Sequence, residues 1–402
     1  MKCVIHIGTE KTGTTLLQDW LYANRAELSK QRVYLSSILG MSNNRDLVSY
    51  FQQELDDWAF SKRISNQEEK AAYFENFESR FQKEVQAAAG GHDVFVITSE
   101  HFHSRLCTRE EIEALCDFLK PLFETIEIVC YFREQSAMAQ SLYSTLLRIS
   151  MKDSLESYLS RVSPQDYYYD FKRIADNWSD VFGRSNCHFR IYDRDRFQAG
   201  DIRRDFLGCL DMAINADVLD FNIATANESL SFMQGELFKV INEKIPYWNH
   251  RNMGVNQENL KIKNVISSMR MLNHGKLAGD CLDVVFDRFV DTNQAFFDHY
   301  FDGEFLFVRP SSALSGSEEE RFTLKRVTHM MTALMTHVLT AVPKSALYDD
   351  DANYLRDIAL KAERSEVLTA EDAVKLLTLA NRARPKGPLI KRKLEEFRKK
   401  LS

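Results

Sequence analysis

Short apolar runs alternate with longer amphipathic stretches through the first half of the chain, the pattern of strands separated by helices. The first run, Val4-Ile5-His6-Ile7, meets Gly8 and a polar turn, Thr9-Glu10-Lys11-Thr12-Gly13. Leu16, Leu17, Trp20, Leu21 and Leu28 then recur at helical spacing, which predicts an amphipathic helix over 14–29. A polar region dense in Gln, Glu and Phe reads as helical over 43–88, until Gly90-Gly91 ends it and launches a second strand, Asp93–Thr98. Thr108, with Glu111 three residues on, resembles a capping box that opens the next helix. A third strand, Ile126–Phe132, stops at Arg133, and the helix after it carries Met138, Leu142, Leu146 and Leu147. Residues 167–183 read as a helix that Gly183 ends, and Cys187–Tyr192 as a fourth strand.

Strands spaced by helices pair in parallel through right-handed crossovers, so the expected fold is α/β: a P-loop-like parallel sheet flanked by helices. Ligands then bind at the carboxyl ends of the strands, where Gly8, Ser99 and Arg133 all fall. From about residue 228 the chain is mostly helical. The stretch Pro310–Glu318 reads as a linker that divides a first domain, 1–310, from a helical C-terminal extension, 311–402. Its tail, 366–400, reads as two helices joined at Arg384-Pro385-Lys386-Gly387-Pro388.

Composition narrows the partners. At 402 residues, 44% hydrophobic and 27% charged, the chain can bury a sizeable core. A formal net charge of −6 argues against a general nucleic-acid binder. Seven scattered cysteines form no C-x-x-C pair and no zinc spacing, which suits a reducing compartment. The start, Met1-Lys2-Cys3-Val4-Ile5, has no basic-then-apolar leader, and no run approaches the roughly 18 apolar residues that span a bilayer. The expected location is cytoplasmic. Residues 382–400 hold nine Lys or Arg and two Glu, so the last helix offers either a solvated basic face or peripheral contact with an anionic surface.

The candidate chemistry begins in the first turn. An apolar strand, a turn of glycines and threonines, and a helix opening on Thr14-Thr15 aim backbone N–H groups at an anion, and the helix dipole adds roughly half a positive charge there. Gly8-x4-Gly13 has the glycine spacing of a Walker A loop, but Thr14 stands where that motif needs Lys, and the lysine is Lys11 instead. A nucleotide hydrolase also wants an aspartate for Mg²⁺ at a strand end, where this chain has Ser99-Glu100 and Arg133-Glu134. Hydrolysis of a nucleoside triphosphate is therefore disfavoured, and a divergent P-loop kinase is the rival within that class. His101-x-His103 has the period of a strand face and offers two metal ligands without a visible third, so no metal is expected.

Lys11-Thr12-Gly13-Thr14-Thr15 after an apolar strand resembles the 5′-phosphosulfate loop of the PAPS-dependent sulfotransferases. The family's second motif, an Arg at the end of a later strand and a Ser eight residues on, is matched by Arg133 and Ser141. Tyr169-Asp170-Phe171 to Trp178, Val181-Phe182-Gly183-Arg184 and Asn227-Glu228-Ser229-Leu230 are also similar to bacterial members, so the resemblance covers roughly 1–310. It implies a PAPS-binding domain in which Lys11, Thr12, Gly13, Thr14, Thr15 and Leu16 hold the 5′-phosphate, while Arg133 and Ser141 grip the 3′-phosphate. PAPS would be the cosubstrate and PAP the product. Lys11 would meet the charge that builds on the bridging oxygen as the S–O bond breaks, an interaction whose loss typically costs 10²–10³ in rate. The base that follows the second family strand would be Glu100, His101 or His103, and Glu100 looks most like the glutamate of the glycan-modifying branch.

Each residue also has a plainer reading. Arg133 can pair with Glu134 or Glu127, Ser141 can be a surface serine, and Asn227 or Ser229 can cap a helix that begins near Leu230. The late Arg-Lys-Gly-x-x-Gly-Asp-Trp segment of cytosolic small-molecule sulfotransferases is missing, and His250-Arg251-Asn252-Met253-Gly254 is a poor match to it. The departure points to large acceptors such as a glycan or glycolipid. A nucleotide-binding scaffold on the same fold is the non-enzymatic alternative.

Overall fold

In the computed structural model, the described residues are 1–223, 230–249, 254–269, 272, 281–310, 334, 349–361 and 369–401. Five strands form one all-parallel sheet: β1 (Lys2–Gly8), β2 (Val33–Leu35), β3 (Val94–Thr98), β4 (Ile126–Phe132) and β5 (Cys187–Ile191). Their order is β2-β3-β1-β4-β5. The expected α/β sheet flanked by helices is thus the fold of the chain, with β2 as an added edge strand. A small antiparallel pair, Trp248–Asn249 with Gly254–Val255, also lay outside the sequence reading.

Alternate residues of β1 serve two cores. Cys3, Ile5 and Ile7 join Phe95, Ile97, Ile128 and Phe132 on one face, under Phe81 and Val85 of the helix Phe77–Ala89 and Ile174 and Trp178 of the helix Phe171–Phe182. Val4 joins Val96, Val129 and Tyr131 on the other, under Leu17, Trp20 and Leu21 of the helix Thr14–Ala23 and Phe206 of the helix Ile202–Gly208. Burial on both faces is why these strands are near-continuously apolar instead of alternating with polar residues.

Three local expectations are revised. The 43–88 region is not one helix but four: Arg45–Phe51, Asp57–Ser61, Gln67–Tyr73 and Phe77–Ala89. Asp56 and Asn66 cap two of them by accepting backbone N–H groups, while Asn44 and Asn76 turn the chain with φ of 43° and 63°. His101 and His103 lie on a short helix, His101–Arg105, and not on a strand. Tyr167–Tyr169 is a 3₁₀ turn set before the helix Phe171–Phe182, which Gly183 ends at φ 89°.

Among the described residues after 348 there are three helices, Asp349–Lys361 and, in the tail, Ala370–Ala383 and Pro388–Lys399, around a small core that includes Leu355, Leu376, Leu377, Ile390 and Phe397. The junction at 384–388 stands where the sequence put it. The Pro310–Glu318 linker, apart from Pro310 itself, lies outside the described residues, as do Asn227, Ser229 and residues 250–253. Among the described residues no helix is long and apolar enough to cross a membrane.

Candidate functional site

The strand order creates the site. After β1 the chain departs toward β2, and after β4 it departs toward β5, so the carboxyl ends of these adjacent strands open a crevice between diverging connections. The loop after β1 and Arg133 after β4 meet there. Gly8 and Gly13 hold φ of 105° and 75°, in the left-handed half of backbone space that glycine enters at least cost. A Cβ on Gly8 would stand 3.1 Å from the Glu100 Cα, and one on Gly13 would stand 3.3 Å from the Tyr192 hydroxyl. The two glycines therefore let the loop press against the ends of β3 and β5. Thr12, fully buried, donates its hydroxyl to the Thr9 carbonyl at 2.5 Å and closes the turn from inside.

The helix Thr14–Ala23 begins at Gly13 with no side-chain cap, and its first helical hydrogen bond runs from Leu17 N to Gly13 O at 3.1 Å. The amides of the first turn are thus left by the helix itself, the condition that makes an N-terminus receptive to an anion. Thr14 is buried at the start of that turn, Leu16 is partly buried, and Thr15 is exposed.

Two cations stand over this turn. Arg133 Nη1 donates to the Lys11 carbonyl at 3.0 Å, and its guanidinium lies 5.7 Å from the centre of the Tyr192 ring. Its sequence neighbours are engaged elsewhere. Glu134 caps the helix Gln135–Ile149 through the amides of Ser136 and Ala137, and Glu127 lies against Lys2 and His188. Among the described residues Arg133 has no carboxylate partner, and the salt-bridge reading of it fails. Burial pushes its pKa down. Lys11 also lacks an ion pair among the described residues, and its Nζ donates to Thr145 Oγ1 at 2.8 Å. Burial lowers its pKa; the carboxylates of Glu10 and Glu100 pull against that, and the like charges of Arg133 and Arg148 add to it.

Ser141 lies one helical turn before Thr145, on the same face of the helix Gln135–Ile149, and is partly exposed. Among the described residues no hydrogen bond joins it to Arg133. The far end of that helix is clamped. Lys263 donates to the carbonyls of Arg148 and Ile149 at 2.8 and 3.0 Å, and Asn242 Nδ2 donates to those of Leu147 and Met151 at 2.9 and 2.8 Å. The helical region after 228 thus fixes the element that presents Thr145 to Lys11.

On the other side of β1, Glu100 follows β3. Its Oε2 accepts from Gln18 Nε2 at 2.5 Å, and its Oε1 lies 4.0 Å from His101 Nε2. Burial lowers the His101 pKa, against the pull of Glu100, and His101 Nδ1 is buried without a partner. His103 differs in kind. Fully buried, it accepts the Glu10 N–H at Nδ1 over 3.4 Å and donates from Nε2 to the Tyr168 carbonyl at 2.9 Å. Both ring nitrogens are spent on backbone, and burial lowers the ring's pKa, so His103 has neither a free lone pair for a metal nor one for a substrate. Among the described residues no group of three His, Cys, Asp or Glu is arranged to hold a metal ion.

Beyond Glu100 the walls are polar. Tyr168 donates its hydroxyl to Glu10 Oε2 at 2.9 Å. Burial pushes the Glu10 carboxyl up, but Ser104, His103, His101 and Tyr168 around it outweigh burial and hold it below the usual carboxylate range. Arg45 and Arg105 share the carboxylate of Asp56, Arg105 at 2.7 Å. Sequence reading brought together Lys11, Arg133 and Glu100. It missed Gln18, Thr145 and Tyr192, although the first two lie four residues, one helical turn, beyond Thr14 and Ser141.

Comparison with known proteins adds one relative. An uncharacterized protein of Archaeoglobus fulgidus is 24% identical over 263 residues, which cover 61% of this chain and 67% of the relative. No protein-family model matches the chain, and no solved structure matches it.

Proposed function

We propose that the protein is a PAPS-dependent sulfotransferase that moves a sulfuryl group to a hydroxyl of a saccharide or glycolipid acceptor. One observation carries this reading: Lys11 and Arg133, joined by a bond from Arg133 to the Lys11 carbonyl, sit at the loop that opens an uncapped helix, neither in an ion pair with a carboxylate among the described residues. Cations left unneutralised in a partly buried crevice favour a ligand that brings its own negative charge. The amides from Thr12 to Leu16 and the hydroxyls of Thr14 and Thr15 suit a 5′-phosphate. Arg133 suits a second phosphate bound through two parallel N–H groups, with the Ser141 hydroxyl beside it.

In this reading the acceptor hydroxyl gives its proton to the Glu100 carboxylate while its oxygen bonds to sulfur. The bond from sulfur to the bridging oxygen breaks, and the electron pair stays on the departing phosphate. Lys11 meets that charge, and losing such a donor costs about 10²–10³ in rate. Arg45 acts on Glu100 itself, while Arg105 and Glu10 act on the adjacent His101, and such polar groups pair with a hydroxyl-rich acceptor better than with a flat apolar one.

The test is a thermal-shift comparison of PAP with ATP–Mg²⁺, followed by assay of Lys11→Ala. A ligand at 100 times its Kd stabilises by about 2.7 kcal/mol. PAP should stabilise the wild type, and Lys11→Ala should bind PAP yet lose transfer of labelled sulfate from PAPS. Stabilisation by ATP–Mg²⁺ and none by PAP would favour a divergent P-loop kinase. PAP binding without transfer to any glycan, lipid or protein fraction would favour a nucleotide-binding scaffold.

A further inference from the structure

Gln18 sits where the phosphate loop and the base meet. It lies on the helix Thr14–Ala23, one turn beyond Thr14, and is only 2% exposed. From there its Nε2 reaches across the end of β1 to Glu100 Oε2 at 2.5 Å. The backbone of Glu100 rests against Gly8 on the same side. The base is thus tied to both ends of the loop, by backbone contact at Gly8 and by a hydrogen bond from the helix that the loop opens.

A buried glutamine needs a partner, and a carboxylate is a strong acceptor, so packing alone accounts for the existence of the bond. It does not account for the consequence at Glu100. A donor held on one carboxylate oxygen fixes the plane of the group and leaves the other oxygen to face the acceptor. Here that other oxygen is Oε1, 4.0 Å from His101 Nε2. The remaining charged groups that act on Glu100 are Lys11 from the loop and Arg45 from the helix Arg45–Phe51. Neither is within ion-pair distance of the carboxylate among the described residues, so the amide of Gln18 is its one short side-chain contact there.

We propose that Gln18 is a positioning residue, which aligns the Glu100 carboxylate with the acceptor hydroxyl and links that alignment to the seating of the phosphate loop. This rests on the sulfotransferase reading and goes beyond it, because Gln18 touches neither nucleotide nor acceptor in that reading and acts only through Glu100.

The experiment compares wild type, Gln18→Leu and Gln18→Glu, each checked for folding by circular dichroism, for PAP affinity by calorimetry, and for kcat and the acceptor KM. Loss of the donor lets the carboxylate leave the plane that the acceptor hydroxyl needs in Gln18→Leu, so the loss should appear in kcat, with the acceptor KM within about threefold of wild type. At pH 7 its kcat should fall about tenfold or more, with PAP affinity within about threefold of wild type. Gln18→Glu keeps the shape but removes the donor and sets a second carboxylate against the first, so its kcat should fall at least as far as that of Gln18→Leu. A folded Gln18→Leu with an unchanged kcat overturns the inference and leaves the sulfotransferase reading intact, as does a parallel fall in kcat and PAP affinity. If Gln18→Leu does not fold, the kcat of Gln18→Glu decides in the same way. Wild-type protein that neither binds PAP nor transfers sulfate overturns both.

Discussion

Arg133 Nη1 and the carbonyl of Lys11 are 3.0 Å apart, so the cation at the end of β4 braces the loop at the residue that carries the other cation. Lys11 holds φ of 65°, a left-handed conformation that a side-chain-bearing residue enters at a cost of about 1 kcal/mol, and the bond from Arg133 offsets part of it. Arg133 therefore has two tasks in the proposed site, to bind charge and to hold the loop that binds it.

Arg133→Ala removes both tasks, and Arg133→Lys restores only charge. Hydrogen bonds to charged groups contribute about 1.5–3 kcal/mol each, so PAP affinity should fall about thirtyfold or more in Arg133→Ala. Arg133→Lys should recover little of the loss, since an ammonium cannot present two parallel N–H groups. Calorimetric titration of PAP into both variants measures this. Wild-type affinity in Arg133→Ala would exclude Arg133 from the nucleotide site.

Lys11 makes a prediction about protons. Burial lowers its pKa from the ordinary 10.5, so at alkaline pH part of the population is neutral. A bound polyanion favours the charged form and pulls a proton back onto the amine. PAP binding at alkaline pH should be accompanied by net proton uptake, and affinity should weaken as pH rises through the lowered pKa. Titrations in two buffers of different ionisation enthalpy give the uptake directly. Lys11→Met should abolish it, and persistence of the same uptake in that variant would assign the proton to another group.

How much of this was legible in the sequence depends on the range of the contact. The β1 turn, the capping box at Thr108–Glu111 and the strand ending at Arg133 are local patterns and stand as read. Val33-Tyr34-Leu35 is too short to carry a periodicity, and only pairing with β3 makes it a strand. The two-residue spacing of His101-x-His103 is compatible with a strand face, but the chain beyond Glu100 turns into the helix His101–Arg105. Gln18–Glu100 and Lys11–Thr145 span 82 and 134 residues. No motif spacing encodes such pairs. They follow from the strand order, which puts β1 between β3 and β4.

The two loop glycines should differ in what they tolerate. At Gly8, with φ of 105°, an added Cβ meets the Glu100 backbone at 3.1 Å, and backbone cannot swing aside. At Gly13, with φ of 75°, it meets the far end of the Tyr192 side chain at 3.3 Å, which can yield. Gly8→Ala should cost about 3 kcal/mol of unfolding free energy and Gly13→Ala about 1 kcal/mol. Urea denaturation of the two variants checks the order, and equal losses would mean that close approach to Glu100 is not what constrains Gly8.

His6 sets a limit on acid stability. It is fully buried in β1, its Nδ1 paired with Thr98 Oγ1 at 2.9 Å and its Nε2 without a partner. Burial lowers its pKa from 6.5 to about 3. Between those values the unfolded chain binds a proton that the folded chain does not, so stability falls as pH falls through 6.5, and full stability is present above it. From pH 7 to pH 5 this one residue should remove about 2 kcal/mol, at a slope approaching 1.4 kcal/mol per pH unit. His103, also fully buried and with its pKa lowered by burial, acts in the same direction. Replacing His6 by Phe removes its share of the slope while keeping an aromatic ring among Tyr131 and Phe206, its T-shaped neighbours. Denaturant unfolding at pH 7 and pH 5 should therefore show a smaller difference in His6→Phe than in wild type. The same pH dependence in both would mean that His6 is already protonated in the folded chain at pH 5.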